Sequence, residues 1–156
     1  MPKNLKEGDK APAFTLAADG EGRISLKDFA GQTLVLYFYP KDDTSGCTKE
    51  AQGFSEKLGQ FKKIGAAVAG VSKDTPGSHD KFKSKYKLKL ALGSDPEGKT
   101  IASYGSWIEK NMYGRKYMGI DRSTFLIDGT GTIRKIWRKV RVPGHVDEVL
   151  AAAKAL

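Results

Sequence analysis

Tyr37-Phe38-Tyr39-Pro40-Lys41-Asp42-Asp43-Thr44-Ser45-Gly46-Cys47-Thr48-Lys49-Glu50 is the stretch that decides how this chain reads. An apolar run that begins at Thr33 ends at a proline, a short polar turn follows, and a helical pattern starts at about Gly46. The run from Thr33 to Tyr39 lacks polar alternation, the mark of a strand buried on both faces. In the helix predicted over about 46–63, Cys47, Ala51, Phe54, Leu58 and Phe61 recur at helical spacing and define one inward face. Thr44 stands where a capping hydroxyl is expected. The Cys47 thiol therefore falls at a helix N-terminus, where unpaired N–H groups and the dipole favour an anion. Thiolate is the nucleophilic form of cysteine, so the placement points to chemistry at sulfur.

Working outward, residues 12–16 and 23–26 read as short strands around the turn Asp19-Gly20-Glu21-Gly22, and 66–71 as a second buried strand. Thr75-Pro76 opens a helix, threonine as cap and proline at the first helical position, with Phe82 and Tyr86 facing inward. A strand near 89–92 and a helix near 97–104 follow, and 105–119 reads as a loop. Strands over 123–128 and 132–139 flank Asp128-Gly129-Thr130-Gly131, and a last helix near Pro143 buries Val146, Val149, Leu150 and Ala153. The order predicts an α/β fold in a single domain over 1–156, a mixed central sheet flanked by helices on both faces, with an N-terminal β-hairpin as an extension. Loops that follow buried strands gather at one sheet edge, where ligand sites lie, and Cys47 follows such a strand directly.

With 156 residues, 39% of them hydrophobic, the chain is long and apolar enough to bury a core. Its longest apolar run, Leu34 to Tyr39, is far short of the roughly 20 residues of a membrane helix. The segment from Met1 to Asp9 has no apolar signal core, and a lone cysteine forms no internal disulfide; a cytoplasmic protein without membrane partners is expected. The net charge of +9 raises the question of nucleic acid, but Lys57, Lys62, Lys63, Lys81, Lys83, Lys85, Lys87 and Lys89 are dispersed. Arg134 to Arg141 alternates with apolar residues as a half-exposed strand does. A solvated basic surface, not a nucleic-acid site, is the expectation. His79 and His145 lie far apart with no ligand-spaced cysteine or carboxylate, so no metal or other cofactor is expected. Trp107 and Trp137 read as packing residues.

Pro40, Thr44 and Cys47 form the pattern P-x-x-x-T-x-x-C. A thiolate that attacks a peroxide needs a stabilised negative charge, a donor that aligns the O–O bond, and a partner for the departing oxygen. The helix start contributes to the first, the Thr44 hydroxyl can bond to substrate and sulfur, and Pro40 can shield the pocket from water. A cation is missing from this set.

The block with Gly-Cys-Thr-Lys-Glu-Ala at 46–51 resembles the peroxiredoxins of the bacterioferritin-comigratory (PrxQ) type. The resemblance extends over nearly the whole chain, through Gly8 to Leu16, Leu26 to Gly31, Gly70 to Asp74, Arg122 to Asp128 and Gly144-His145-Val146. It implies a thioredoxin-like fold and reduction of hydroperoxides to water or alcohols. It also implies that Cys47 is the nucleophile, with Thr44, Pro40 and Arg122 around it, Arg122 being the missing cation. Glu50 reads as a first-turn carboxylate favoured by the dipole, or as a group that orients an arginine. Many family members carry a resolving cysteine five residues after the first, where Gln52 stands here; others carry it in the next helix, where Thr75 to Leu88 has none.

The expectation is a monomeric thiol peroxidase working by a one-cysteine cycle. An external thiol (thioredoxin, glutaredoxin or glutathione) would return Cys47 from its sulfenic acid. The rival readings are a redox sensor on the same fold, without steady turnover, and a non-catalytic basic binding module.

Overall fold

The computed structural model describes residues 5–156, so the sequence reading of the first four residues lies outside it. The buried run becomes β3 (Thr33–Phe38), an interior strand of a seven-stranded sheet. In chain order the other elements are β1 (Thr15–Ala18), β2 (Arg23–Ser25), α1 (Ser45–Lys63), β4 (Ala66–Ser72), α2 (Pro76–Tyr86), β5 (Ala91–Ser94), α3 (Lys99–Ser103), β6 (Trp107–Met112), β7 (Arg115–Ile120), β8 (Ser123–Ile127), β9 (Ile133–Trp137) and α4 (His145–Lys154). The sheet runs β2-β1-β5-β4-β3-β8-β9. β3, β4 and β5 are parallel, whereas β1, β8 and β9 pair antiparallel with their neighbours. The sheet is thus mixed, and the β1–β2 hairpin extends one edge.

Alternation along β3 sorts the side chains into two cores. Val35, Tyr37 and Tyr39 face α1, α2 and α4, where Phe54, Phe61, Phe82 and Val149 pack. Leu34, Leu36 and Phe38 face the other way, against Phe14, Ile101, Tyr104 and Phe125. Tyr37 lies flat over its register partner Gly70, where a Cβ would come within 2.7 Å of the ring. Glycine is required at that close approach.

Five local readings are corrected. Residues 105–119, read as a loop, form most of a separate two-stranded ribbon, β6–β7. Of its strand residues only Ile120 is buried, so the ribbon lacks the apolar alternation that reveals a half-buried strand. Its turn, Tyr113-Gly114, has positive φ at both residues, and tyrosine disguises a position usually held by asparagine or glycine. The strand read at 12–16 starts only at Thr15, and the one read at 23–26 stops at Ser25, because Leu26–Phe29 is a short 3-10 turn with Ser25 and Asp28 in a capping box. The strand near 89–92 forms over Ala91–Ser94 instead, set by its pairing with β4 and β1. Thr44 does occupy the N-cap position of α1, but its hydroxyl makes no cap bond; it donates to the Lys41 carbonyl at 2.9 Å. In α2, by contrast, Thr75 caps as expected, accepting from the Ser78 N–H. Among the described residues no helix is long and apolar enough to cross a membrane.

Candidate active site

Cys47 is the third residue of α1, and its side chain turns into the core at 1% exposure. The first-turn N–H groups have no carbonyl one turn back to bond to, so the sulfur sits beside unsatisfied backbone donors. Arg122 arrives from the opposite direction, immediately before β8, whose first residue Ser123 pairs with Phe38 at the end of β3. Its Nη2 donates to the Cys47 sulfur at 3.3 Å and its Nη1 to Glu50 Oε1 at 2.7 Å. Glu50 stands one helical turn after Cys47, so one guanidinium fork spans two residues of the same helix face. Gly46 makes room for that fork: a Cβ there would lie 3.1 Å from Nη2.

Electrostatics follow from burial and this pairing. Burial pushes the Glu50 carboxyl up to about 7, although Arg122 pulls against it. Its second oxygen, Oε2, is buried without a partner among the described residues. Arg122 is held above its ordinary value: burial works against its charge, and Glu50 and Cys47 outweigh that. His145 is pushed down to about 4, chiefly by burial and further by Arg122, against the opposing charge of Glu148. It is therefore neutral near pH 7, and its Nε2 lies 2.8 Å from the Thr124 hydroxyl.

Of the four residues singled out in the sequence, Cys47 and Arg122 are in direct contact. Thr44 lies in the turn that starts α1, exposed, its carbonyl accepting from the Thr48 N–H at 2.8 Å. Its hydroxyl proton goes to Lys41 and not to the sulfur, which leaves its oxygen lone pairs free to accept. Pro40 is exposed, two residues past the end of β3. Asp121, beside Arg122 in sequence, is not its ion-pair partner; its carboxylate accepts from the Lys139 N–H at 3.1 Å. Of the two readings of Glu50, orientation of an arginine is the one the geometry realises.

Sequence reasoning missed a buried polar group under the same loop, formed by Tyr39, Asp42 and His79. Its only signal was an aspartate three residues after an otherwise buried tyrosine. Among the described residues no group of three His, Cys, Asp or Glu is placed to hold a metal. A cavity of about 540 Å³ opens near Leu26, Phe29, Leu34 and Gly129, by the start of β3 and the end of β8. Cys47 does not line it.

The model of the AhpC/TSA family matches residues 7–136. Peroxiredoxin Bcp of Bacillus subtilis is 45% identical over 150 residues, covering 96% of each chain. Its namesake from Xanthomonas campestris is 46% identical over 90% of this chain and 88% of its own. Among solved structures, a Cys-to-Ser variant of Xylella fastidiosa PrxQ superposes with a TM-score of 0.93 at 41% identity, covering 98% of both chains. The Xanthomonas campestris bacterioferritin comigratory protein, studied for its alkyl peroxide reduction activity, gives 0.87 at 44% identity over 91% of this chain and 90% of its own. Structures of Xanthomonas peroxiredoxin Q also exist with serine at either of two positions, as far apart in that sequence as Cys47 and Lys83 are here. The fold is that of the thioredoxin-like peroxiredoxins, and with relatives this similar over nine-tenths of its length the chain belongs to the AhpC/TSA family, on its bacterioferritin-comigratory (PrxQ) branch, as a thiol-dependent peroxidase.

Proposed function

We propose that the protein reduces hydrogen peroxide and small organic hydroperoxides by a one-cysteine cycle centred on Cys47. The observation that carries this reading is the 3.3 Å contact between Arg122 Nη2 and the sulfur, on a residue at the start of a helix. The Cys47 thiolate attacks one peroxide oxygen, the O–O bond breaks, and hydroxide or alkoxide leaves and takes up a proton as water or alcohol. Sulfur is oxidised to the sulfenic acid. Arg122 and the Cys47 N–H stabilise charge as it moves from sulfur to the departing oxygen. The Thr44 oxygen, with lone pairs free, accepts the O–H of the bound peroxide, and Pro40 limits access of water. Alkyl peroxide reduction by the Xanthomonas relative supports the wider substrate class.

An external thiol then condenses with the sulfenic acid, releasing water and leaving a mixed disulfide, and a second thiol frees Cys47 by exchange. The second cysteine of the Xanthomonas relative has no thiol counterpart here. The same separation from Cys47 reaches Lys83, whose Nζ is 2.6 Å from Asp19 Oδ2. Thioredoxin, glutaredoxin and glutathione are the candidate reductants, acting in the cytoplasm on a monomer. The test is peroxide consumption with the thioredoxin and glutathione–glutaredoxin systems side by side, for the parent and for Cys47→Ser. Turnover is expected with at least one system and none in the serine variant, whose alcohol is not ionised near neutral pH. Consumption by the serine variant above background contradicts the assignment of the nucleophile.

A further inference from the structure

Between β3 and α1 the chain runs Tyr39-Pro40-Lys41-Asp42-Asp43-Thr44, and both aspartates of this segment are gripped from α2. Asp42 is buried although its neighbours Lys41 and Asp43 are exposed. Its Oδ1 accepts from the Tyr39 hydroxyl at 2.6 Å. Its Oδ2 accepts from the Ser78 hydroxyl at 2.8 Å and faces His79 Nδ1 at 2.7 Å. The other nitrogen of His79 lies 2.9 Å from the Gly93 carbonyl, which can only accept, so Nε2 carries a proton. Nδ1 thus meets Asp42 in a buried contact, with the Tyr39 hydroxyl 3.3 Å from the same nitrogen. The Asp42 N–H donates to Asp74 Oδ2 at 2.8 Å, and Asp74 is itself fixed by the Ser72 hydroxyl at 2.7 Å.

Asp43 adds a second grip. Its φ of +57 is left-handed, a conformation that aspartate tolerates at some cost and that surroundings must hold. Its carboxylate receives Lys85 Nζ at 2.8 Å and the Tyr86 hydroxyl. A buried acid–imidazole pair is a poor way to gain stability, because desolvation offsets most of the attraction. What such a pair does well is define one geometry.

We propose that α2 is a clamp that presets the Pro40–Thr44 segment for peroxide binding, with His79, Asp42 and Lys85 as positioning residues. The inference rests on the proposed role of Thr44, whose hydroxyl is tied to Lys41 inside the clamped segment. A displacement of about 1 Å at a reacting group can cost on the order of 10²-fold in rate. Cys47 and Arg122 come from α1 and from the start of β8 and make no hydrogen bond to the clamp residues, so thiolate reactivity in general is spared.

The test compares His79→Phe, which keeps a ring beside Tyr39, with Lys85→Met, an exposed change that leaves the core intact. Two rates are read for each: the second-order rate with hydrogen peroxide, and alkylation of Cys47 by iodoacetamide across pH. Peroxide rates should fall about 10- to 100-fold in His79→Phe and several-fold in Lys85→Met, with alkylation profiles matching the parent. Unchanged peroxide rates in both folded variants, even with a lowered melting temperature, overturn the clamp, because a purely structural contact behaves in that way. A parallel fall in alkylation also overturns it. Thr44→Val separates the inference from the reading beneath it: a full peroxide rate there removes Thr44 from the site, whereas a slow Thr44→Val beside fast clamp variants removes only the clamp.

Discussion

Replacing Arg122 with methionine keeps an unbranched side chain of similar reach and removes the charge beside Cys47. At 3.3 Å and an effective dielectric of about 20, a unit charge pair is worth about 5 kcal/mol. Part of this is already spent on Glu50, which shares the same guanidinium at 2.7 Å, so the loss at sulfur is smaller. Removal of one preorganised electrostatic donor typically costs about 2.7–4 kcal/mol, a 10²- to 10³-fold slower reaction, and that is the expected fall in the peroxide rate. The fold should survive the change. Glu50 is left without its cation, but burial has already raised its carboxyl to about 7, so it takes up a proton instead of remaining a bare buried charge. An unpaired neutral carboxyl costs about 1–3 kcal/mol of stability, less than most domains have to lose. Stopped-flow measurement of the peroxide reaction under pseudo-first-order conditions reads the rate, and iodoacetamide alkylation across pH should move to higher pH as the thiolate loses its counter-charge. A folded Arg122→Met protein that reacts with peroxide at the parent rate, with an unmoved alkylation profile, refutes the reasoning.

Gly46→Ala should slow the peroxide reaction about 10-fold, because a Cβ 3.1 Å from Nη2 obliges the guanidinium to shift; a parent-like rate means that the fork has room to move. Glu50 makes stability depend on pH: its folded value, about 7, lies above its ordinary 4.5, so the folded state holds the extra proton between them. The stability from this proton is complete below about 4.5 and is lost as pH rises through 7, by up to about 3 kcal/mol, and Glu50→Gln should flatten urea midpoints measured over that window. One equivalent of hydrogen peroxide should add one oxygen to Cys47 by mass spectrometry, and excess without a thiol should add a second as sulfinic acid. With glutathione present a mixed disulfide should replace both, whereas oxidised protein found wholly as a Cys47–Cys47 dimer makes a second copy the resolving partner.

The strands and helices with a one-sided or fully buried pattern were legible: the run from Thr33, the inward stripe of α1 and the Thr75-Pro76 start of α2 all form near their expected places. The β6–β7 ribbon was not, because a strand wetted on both faces owes nothing to apolar periodicity and is specified by its cross-strand bonds and its turn. At the site, Cys47 could be placed from the chain alone, since a helix start is a local event. Arg122 was reached only by resemblance, for 75 residues separate it from Cys47 and only the folded sheet closes that gap. The Tyr39–Asp42–His79 contact is of the same kind. Nothing local distinguishes His79 from a surface histidine on a lysine-rich helix, and only the packing of α2 beneath the β3–α1 loop buries it.

Strand register is the step that turns this fold into chemistry. Phe38 pairs with Ser123, and along β8 Leu126 belongs to the core under α1, whereas Phe125 and Ile127 belong to the core on the far face. Even-numbered residues of this strand therefore point toward α1, and Arg122, one position before the strand and of the same parity, reaches Cys47 and Glu50. A slip of one residue between β3 and β8 would send Phe125 and Ile127 under α1 and turn Arg122 to the opposite face, away from the sulfur. That slip is opposed by five paired positions, Leu34↔Ile127 to Phe38↔Ser123, and by the burial of every β8 side chain. The arginine needs no loop of its own to hold it in place, since the packing that stabilises the centre of the sheet also aims the guanidinium at Cys47.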